Sequence, residues 1–389
     1  MSSSMPKRLV KRKFSDELFI SAPDNVVLIV VAFLVIIGIM MTFSAGSPRC
    51  IQEGLNPASF AIRQFIFAVI GFFGLKFFTN FEYKKLKSYA IPFAWFVVIM
   101  LAIVDFTPLG IMVNNAKRWM MIGPFQFQPS EMAKLSVIML MATAFNRNCN
   151  VFNSNKIVSY FLPVVLMVLL IFQQPNLSMV LLLLATSVVM YLSAGGSLKL
   201  FVTAITLGLI TLKFTIKSYQ LGRIEIWKNP EIDPLGAGYN IIQSLIAFAA
   251  GGFNGVGFGN SKQKLFWLPE SHTDFIFAVL GEEFGFIGCV LIIGLFCTFV
   301  HRGLIISSRA EDMFGKLMAV GITLSIGIQA FINMAVSSAM IPATGVPMPF
   351  ISYGGTSLVV SMCMVGILLN ISKKRVKRIK NYEWERRKT

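Results

Sequence analysis

The chain is a succession of apolar runs separated by polar segments, and most runs are long enough to cross a bilayer. A membrane-spanning helix needs about 20 mainly apolar residues. We therefore predict an all-α, polytopic membrane protein with ten transmembrane helices. The predicted spans are 26–44, 65–79, 89–106, 130–146, 157–172, 177–194, 199–216, 274–300, 314–338 and 354–371.

The composition supports this class of protein. The chain is 55% hydrophobic and only 14% charged, whereas soluble domains are about one quarter charged. The net charge of +17 does not indicate nucleic-acid binding, because the basic residues flank apolar runs, as membrane orientation requires. Five cysteines without a CxxC pair and two histidines give no disulfide framework and no His-rich metal site.

Basic tails at 1–25 and 373–389 flank a membrane domain at 26–372. The first tail shows no periodicity and is predicted to be mobile, and the run after it is long enough to remain as the first helix. Ten spans place both ends on one side. With both tails in the cytoplasm, the cytoplasmic segments hold 23 of the 35 Lys and Arg residues, as the positive-inside rule expects.

This orientation brings three unusual loops to the outer face: 107–129, 217–273 and 341–353. They are rich in aromatic residues, Gly and Pro, and they carry few charges. Within the largest loop, 241–250 is apolar but too short to span, so we expect a helix at the membrane interface. The last loop, with three prolines, should be ordered and stiff. Together the loops could form one outward-facing site.

Asp274 lies where the largest loop meets the eighth span. Carboxylates in or beside a bilayer are costly and usually functional. Asp274 could act as a general base, hold a divalent cation, or cap the helix. Glu282 and Glu283 follow about two turns deeper on other faces of the helix, and we predict that they are buried partners of Lys134 or Arg63.

Two further clusters allow a functional and a structural interpretation. Lys117, Arg118 and Trp119 could hold a phosphate and pack on an apolar chain, or form an interfacial belt. The segment 352–357, SYGGTS, could bind an anion through backbone N–H groups, or be a glycine-rich turn. Two classes of protein fit these residues: an outer-surface enzyme for an anionic lipid-linked substrate, and a transporter with a midplane site.

Four segments carry a more specific signal. They are AKRWMMIGPFQFQPSEMAK at 116–134, DPLGAGYNIIQSLIAFAAGG at 233–252, LPESHTDFIFAVLGEEFGFIG at 268–288 and PATGVPMPFISYGGTSL at 342–358. In these motifs and their order, the chain resembles the SEDS family (shape, elongation, division and sporulation proteins). The resemblance implies a peptidoglycan glycosyltransferase that polymerises lipid II.

The resemblance also implies site residues. Asp274, in the HTDFIF motif, would be the catalytic base that takes a proton from the acceptor hydroxyl. The candidate substrate-binding residues are Lys117, Arg118, Trp119, Lys134, Glu270, His272, Ser352 and Tyr353. Arg118, with the two lysines, would neutralise the pyrophosphate of the undecaprenyl-linked donor, and a divalent cation, Mg²⁺ or Mn²⁺, could share that role.

The implied partners are a class B penicillin-binding protein, which is a transpeptidase, and other division proteins, with no nucleic acid. MMTFSAGSP at 40–48 and AVLGEE at 278–283 favour the division branch of the family, acting in the bacterial cytoplasmic membrane at the septum. The alternatives are a polymerase of the elongation branch and, from a different class, a lipid II flippase.

Overall fold

The structure is a computed structural model that describes residues 10–20, 22–113, 116–123, 125–146, 157–199, 222 and 225–384. The protein is mostly helical. The helices are α1 (Asn25–Gln52), α2 (Ser59–Asn80), α3 (Leu86–Phe106), α4 (Pro129–Phe145), α5 (Ile157–Gln173), α6 (Leu177–Ser193), α7 (Tyr239–Gly251), α8 (Ile276–Ser308), α9 (Met313–Ser337) and α10 (Gly355–Lys373). The strands are β1 (Val10–Ile20), β2 (Gly110–Val113), β3 (Ala116–Ile122), β4 (Phe125–Phe127) and β5 (Lys374–Trp384).

The helices follow the predicted membrane spans. Among the described residues, six are long and apolar enough to cross a membrane: α1, α2, α3 with its short 3-10 entry, α8, α9 and α10. Helices α4, α5 and α6 have 17 residues each. The predicted span at 199–216 lies almost wholly outside the described residues. The chain is therefore a multi-pass membrane protein.

Helix α9 lies near the centre of the bundle and α8 at its edge. In the most apolar window of each helix, 72% of α9 is buried inside the protein, against 28% of α8. Helix α9 therefore contacts other helices on most sides, while α8 presents Val290, Leu291 and Ile293 to lipid. Polar side chains on α9 must consequently find partners within the protein.

The all-α prediction holds for the membrane bundle but not for two small sheets outside it. In the loop 107–129, β2, β3 and β4 form an antiparallel sheet. Strands β1 and β5 pair antiparallel, from Val10 opposite Trp384 to Ile20 opposite Lys374. The prediction of an unstructured first tail is therefore wrong for 10–20, because the strand partner lies at the other end of the chain and leaves no local periodicity.

One end of the bundle, which we call the tail face, is defined by Asp24, Arg302 and Ser372. The Arg302 guanidinium forms a 2.6 Å ion pair with Asp24, and the Asp24 N–H donates to the Ser372 hydroxyl. Nearby, the Tyr83 N–H donates to the Asn370 side chain. These contacts bring together the start of α1, the turn before α3 and the ends of α8 and α10.

The opposite end, which we call the loop face, is defined by Gln64, Asp274 and Ser352. The Gln64 amide donates to the Ser352 carbonyl at 3.2 Å, which joins α2 to the entrance of α10. The Ser244 hydroxyl donates to the Ser337 carbonyl, which places α7 beside the end of α9. Helix α7 has 13 residues, matching the predicted short interfacial helix.

Helix α8 is interrupted at Gly285, whose φ of 63° and ψ of −160° are non-helical. This region of φ and ψ is essentially restricted to glycine. The break allows the loop after α7 to pair with α8: the Val256 N–H donates to the Glu282 carbonyl at 3.0 Å, and the Phe286 N–H donates to the Gly252 carbonyl at 2.9 Å. Backbone atoms of α8 thus hold the loop that leads to Asp274.

Candidate active site

Asp274 lies just outside α8. The helix begins at Ile276, with Phe275 at the N-cap position and no side-chain capping hydrogen bond. The interpretation of Asp274 as a helix cap is therefore wrong. The Asp274 carboxylate accepts no backbone N–H at the start of α8, whereas a capping carboxylate would be occupied by such groups.

The proline-containing loop between α9 and α10 packs against the segment that carries Asp274. The Ser352 hydroxyl donates to the Thr273 carbonyl at 2.6 Å, and the Tyr353 N–H donates to the His272 carbonyl at 3.0 Å. A Cβ placed on Gly345 would lie 3.4 Å from the Asp274 carboxylate. Two of the three predicted outer loops therefore meet at this carboxylate.

The surroundings of Asp274 disfavour its charged form. Burial raises its pKa to about 7, the negative charge of Glu270 acts in the same direction, and the positive charge of Arg118 opposes both. Burial is also the main cause that lowers the pKa of His272 to about 4. A pKa near 7 leaves Asp274 partly deprotonated at neutral pH, so that it can accept a proton, as general-base catalysis requires.

The remaining predicted outer loop, 107–129, contributes Arg118 to this site. Its guanidinium donates to the carbonyls of Gln174 at 2.9 Å and Pro175 at 2.5 Å, in the turn between α5 and α6. Its charge nevertheless acts on Asp274. The guanidinium is thus held on the loop face by backbone carbonyls, with its positive charge directed to the region of the carboxylate.

The neighbours of Arg118 on β3 have more local contacts. The Lys117 ammonium donates to the Thr107 carbonyl at 2.7 Å and to the Asp105 carbonyl at 3.3 Å. It therefore binds carbonyls at the end of α3, where a cation stabilises a helix. Trp119 is partly buried and pairs with Ile111 across the sheet.

Lys134 is buried on α4, with 1% of its surface exposed. Its ammonium lies 2.7 Å from the Glu131 carboxylate and donates to the Gln329 side chain on α9 at 2.6 Å. The prediction that Lys134 pairs with Glu282 or Glu283 is wrong. Glu131 lies three residues earlier on the same helix, within reach of a local pair.

Glu282 and Glu283 are buried, as predicted, but their partners lie in the loop after α7. Glu282 accepts hydrogen bonds from the Ser261 hydroxyl and from the backbone N–H groups of Lys262 and Gln263. Glu283 forms a 2.8 Å ion pair with Lys264. The two carboxylates therefore fix this loop to the first turns of α8.

Glu270 and His272 lie on the segment that carries Asp274, and Tyr353 packs against that segment. The Thr273 hydroxyl donates to the Glu270 carboxylate at 2.8 Å. The ring of Phe60 on α2 stacks on Tyr353 at 4.7 Å and lies 5.2 Å from His272. Sequence reasoning missed Phe60, because one more aromatic residue in an apolar helix carries no distinguishing signal.

In the segment 352–357, the hydroxyls of Ser352 and Thr356 are used within the protein. The Ser352 hydroxyl accepts the Met348 N–H at 2.8 Å, and the Thr356 hydroxyl accepts the Gln128 N–H at 3.2 Å. These contacts fit a structural turn into α10. In the described part of the chain, no cluster of three His, Cys, Asp or Glu residues could hold a metal ion.

The fold and this site define a multi-pass membrane protein with the carboxylate of Asp274 at the loop face of its helix bundle. Residues 24–377 match the family model of FtsW, RodA and SpoVE, described as cell cycle proteins. The chain belongs to this family, and the predicted SEDS resemblance is thereby confirmed.

Two curated relatives cover nearly the whole chain. The probable peptidoglycan glycosyltransferase FtsW of Trichlorobacter lovleyi is 41% identical over 358 residues, which cover 90% of this chain and 93% of the relative. Stage V sporulation protein E of Bacillus subtilis is 37% identical over 362 residues, which cover 91% and 98%. The chain therefore resembles these relatives over their full length.

Solved structures share the fold. A chain from a peptidoglycan synthase complex, described as coordinating polymerization and crosslinking, aligns with a TM-score of 0.70 at 28% identity and covers 90% of this chain and 98% of its own. RodA of Thermus thermophilus aligns with a TM-score of 0.65 at 23% identity and covers 90% and 97%. The second similarity concerns the fold alone.

Proposed function

We propose that this chain is a peptidoglycan glycosyltransferase of the FtsW type, which polymerises lipid II during septal wall synthesis. The observation that carries the proposal is the position of Asp274, a partly accessible residue where two of the predicted outer loops meet, and its raised pKa of about 7 agrees with it. Membership of the FtsW, RodA and SpoVE family supports the activity. Relatives named FtsW at 35–41% identity support the division branch.

In the proposed mechanism, Asp274 accepts the proton of the lipid II 4-hydroxyl as that oxygen attacks the donor sugar. The bond from the sugar to the undecaprenyl pyrophosphate breaks, and Arg118 offsets the charge of the leaving group. Glu270, His272, Ser352 and Tyr353 shape the acceptor side. Lys117 and Lys134 bind protein oxygens and, unlike Arg118, are not among the charges that act on Asp274, so we assign them to holding β3 and α4.

The internal pairing of buried charges argues against the transporter class. Lys134, Glu282 and Glu283 are the intramembrane charges that left a midplane site open as an alternative, and each is bound to protein groups. A charge that binds a transported substrate must be free to meet it, whereas these three side chains each hold a loop or a helix of the protein in place. We therefore favour the polymerase over a lipid II flippase.

Polymerisation of lipid II by the purified full-length chain tests the proposal. We expect glycan strands, and a higher rate with a class B penicillin-binding protein, which we propose as the partner. Because the base must be deprotonated, the rate should rise with pH to a plateau above about pH 7 and fall about tenfold per unit well below it. A wild-type rate that stays flat from pH 5 to 8 would contradict Asp274 as the base.

The two faces also support a proposed orientation, with both termini in the cytoplasm and Asp274 outside. Pairing of β1 with β5 requires both termini on one side, and a ten-span layout with an outer loop at 217–273 satisfies this. A reporter at the C-terminus or within 302–313 should be cytoplasmic, and one near Asn229 should be outside. A cytoplasmic signal from Asn229 would separate the three loops and overturn the proposed site.

A further inference from the structure

Helix α9 carries two buried amide side chains one turn apart, Gln329 and Asn333. Their exposed fractions are 0% and 1%. The Asn333 amide donates to the Asp274 carbonyl and to the Val346 carbonyl, both at 2.8 Å. The Gln329 amide donates to the Pro347 carbonyl at 2.9 Å, while its oxygen accepts from Lys134. These two side chains, which we call the amide pair, join four segments of the protein.

The carbonyls bound by the amide pair have no regular helical partner. If the helix included Asp274, the Asp274 carbonyl would accept the Ala278 N–H. That N–H instead donates to the Phe275 carbonyl at 3.0 Å. The other two bound carbonyls, of Val346 and Pro347, lie in a segment without regular secondary structure, so no helix or strand supplies their donors. Buried carbonyls need a donor, and α9 supplies it from its side chains.

We infer that Asn333 is a positioning residue for the proposed reaction, which holds Asp274 against the proline-containing loop while leaving its carboxylate free. The inference rests on the proposed function of Asp274. Asn333 binds the backbone of Asp274, so it fixes where the carboxylate stands without competing for its proton. Gln329 binds the next residue of the loop, Pro347, and also accepts a hydrogen bond from Lys134.

The charged and titratable groups around this arrangement come from several elements. Glu270 and His272 lie on the segment before α8, Arg118 comes from β3, and the Lys134–Glu131 pair on α4 contacts the amide pair through Gln329. Burial is the largest cause of the raised pKa of Asp274. If the segment loosened and admitted water, that pKa would fall toward its ordinary value.

The test compares three α9 variants in the lipid II polymerisation assay. Asn333→Leu keeps the approximate size but removes both donated hydrogen bonds, and Asn333→Ser keeps one donor on a shorter side chain. Ser337→Ala is the matched control: Ser337 is buried one turn further along α9, and its hydroxyl has no hydrogen-bond partner in the described structure. Protein yield and melting temperature are measured for each variant.

Asn333→Leu should lower kcat by about 10- to 100-fold, as expected for a displaced reacting group, with a smaller change in KM for lipid II. The acid limb of its pH–rate profile should move to lower pH. Asn333→Ser should show both effects to a lesser degree, and Ser337→Ala should match the wild type. Global destabilisation alone would reduce the amount of active enzyme without moving the acid limb.

Two outcomes would overturn the inference: a folded Asn333→Leu with the wild-type kcat and acid limb, or, if that variant does not fold, a folded Asn333→Ser with both unchanged. Failure of the proposed function looks different. In that case the wild-type chain makes no glycan, or Asp274→Asn polymerises as well as the wild type.

Discussion

Asp274→Asn should abolish glycan synthesis from lipid II while leaving the protein folded in the membrane. The substitution preserves the size of the side chain but removes its ability to accept a proton, and a positioned general base contributes about 10²- to 10⁴-fold to a rate. Folding should be unaffected, since the contact that holds this position uses the backbone carbonyl of Asp274. The measurement is the initial rate of polymerisation at equal amounts of folded protein.

Asp233→Asn is a suitable control for this experiment. Asp233 lies in the same proposed outer loop, but its carboxylate accepts the Ala237 N–H within its own turn at 2.8 Å. It should polymerise lipid II at close to the wild-type rate. Wild-type activity of Asp274→Asn would rule out this carboxylate as the base, and equal loss in both variants would indicate a general effect of loop charge.

Lys264→Met should cause a large loss of stability. Lys264 and Glu283 form a buried pair with 6% and 0% of their side chains exposed, and removal of one partner from such a pair typically costs about 3–5 kcal/mol. Because the pair anchors the loop before Asp274 to α8, activity should fall with stability. The measurement is the melting temperature of the purified protein, together with its yield in membranes.

The double variant Lys264→Met, Glu283→Gln should recover much of that loss, because it no longer leaves a carboxylate buried without a cation. Arg49→Met is the comparison for an exposed pair. Arg49 and Glu53 are 48% and 44% exposed, so breaking their pair should cost about 1 kcal/mol or less. Similar losses for Lys264→Met and Arg49→Met would contradict the anchoring role of the buried pair.

The sequence allowed most of the membrane helices to be predicted, because bilayer thickness fixes how long an apolar run must be. It also indicated Asp274, since a carboxylate at the edge of an apolar run is costly without a role. The same hydropathy signal could not give the partners of buried charges. The pair of Lys264 and Glu283 depends on a loop folding back on α8, which no local pattern encodes.

Two other features that the sequence analysis missed, the partner of Lys134 and the amide pair, had a signal in the sequence. Glu131 precedes Lys134 by three residues, a spacing that allows a pair on one helix. Gln329 and Asn333 stand four residues apart in an apolar run, so they share a face of α9. Polar side chains on one face of a central membrane helix must find partners inside the protein, which would have singled out this pair.

The break at Gly285 divides α8 into two segments with different surroundings. The upper segment, 276–284, is fixed to the loop after α7 by backbone and carboxylate contacts, while much of the lower segment faces lipid. A bilayer of a different thickness tilts membrane helices, and we expect such tilt to act on the lower segment and to be taken up at the break. The site at Asp274 should then keep its geometry when the thickness of the surrounding bilayer changes.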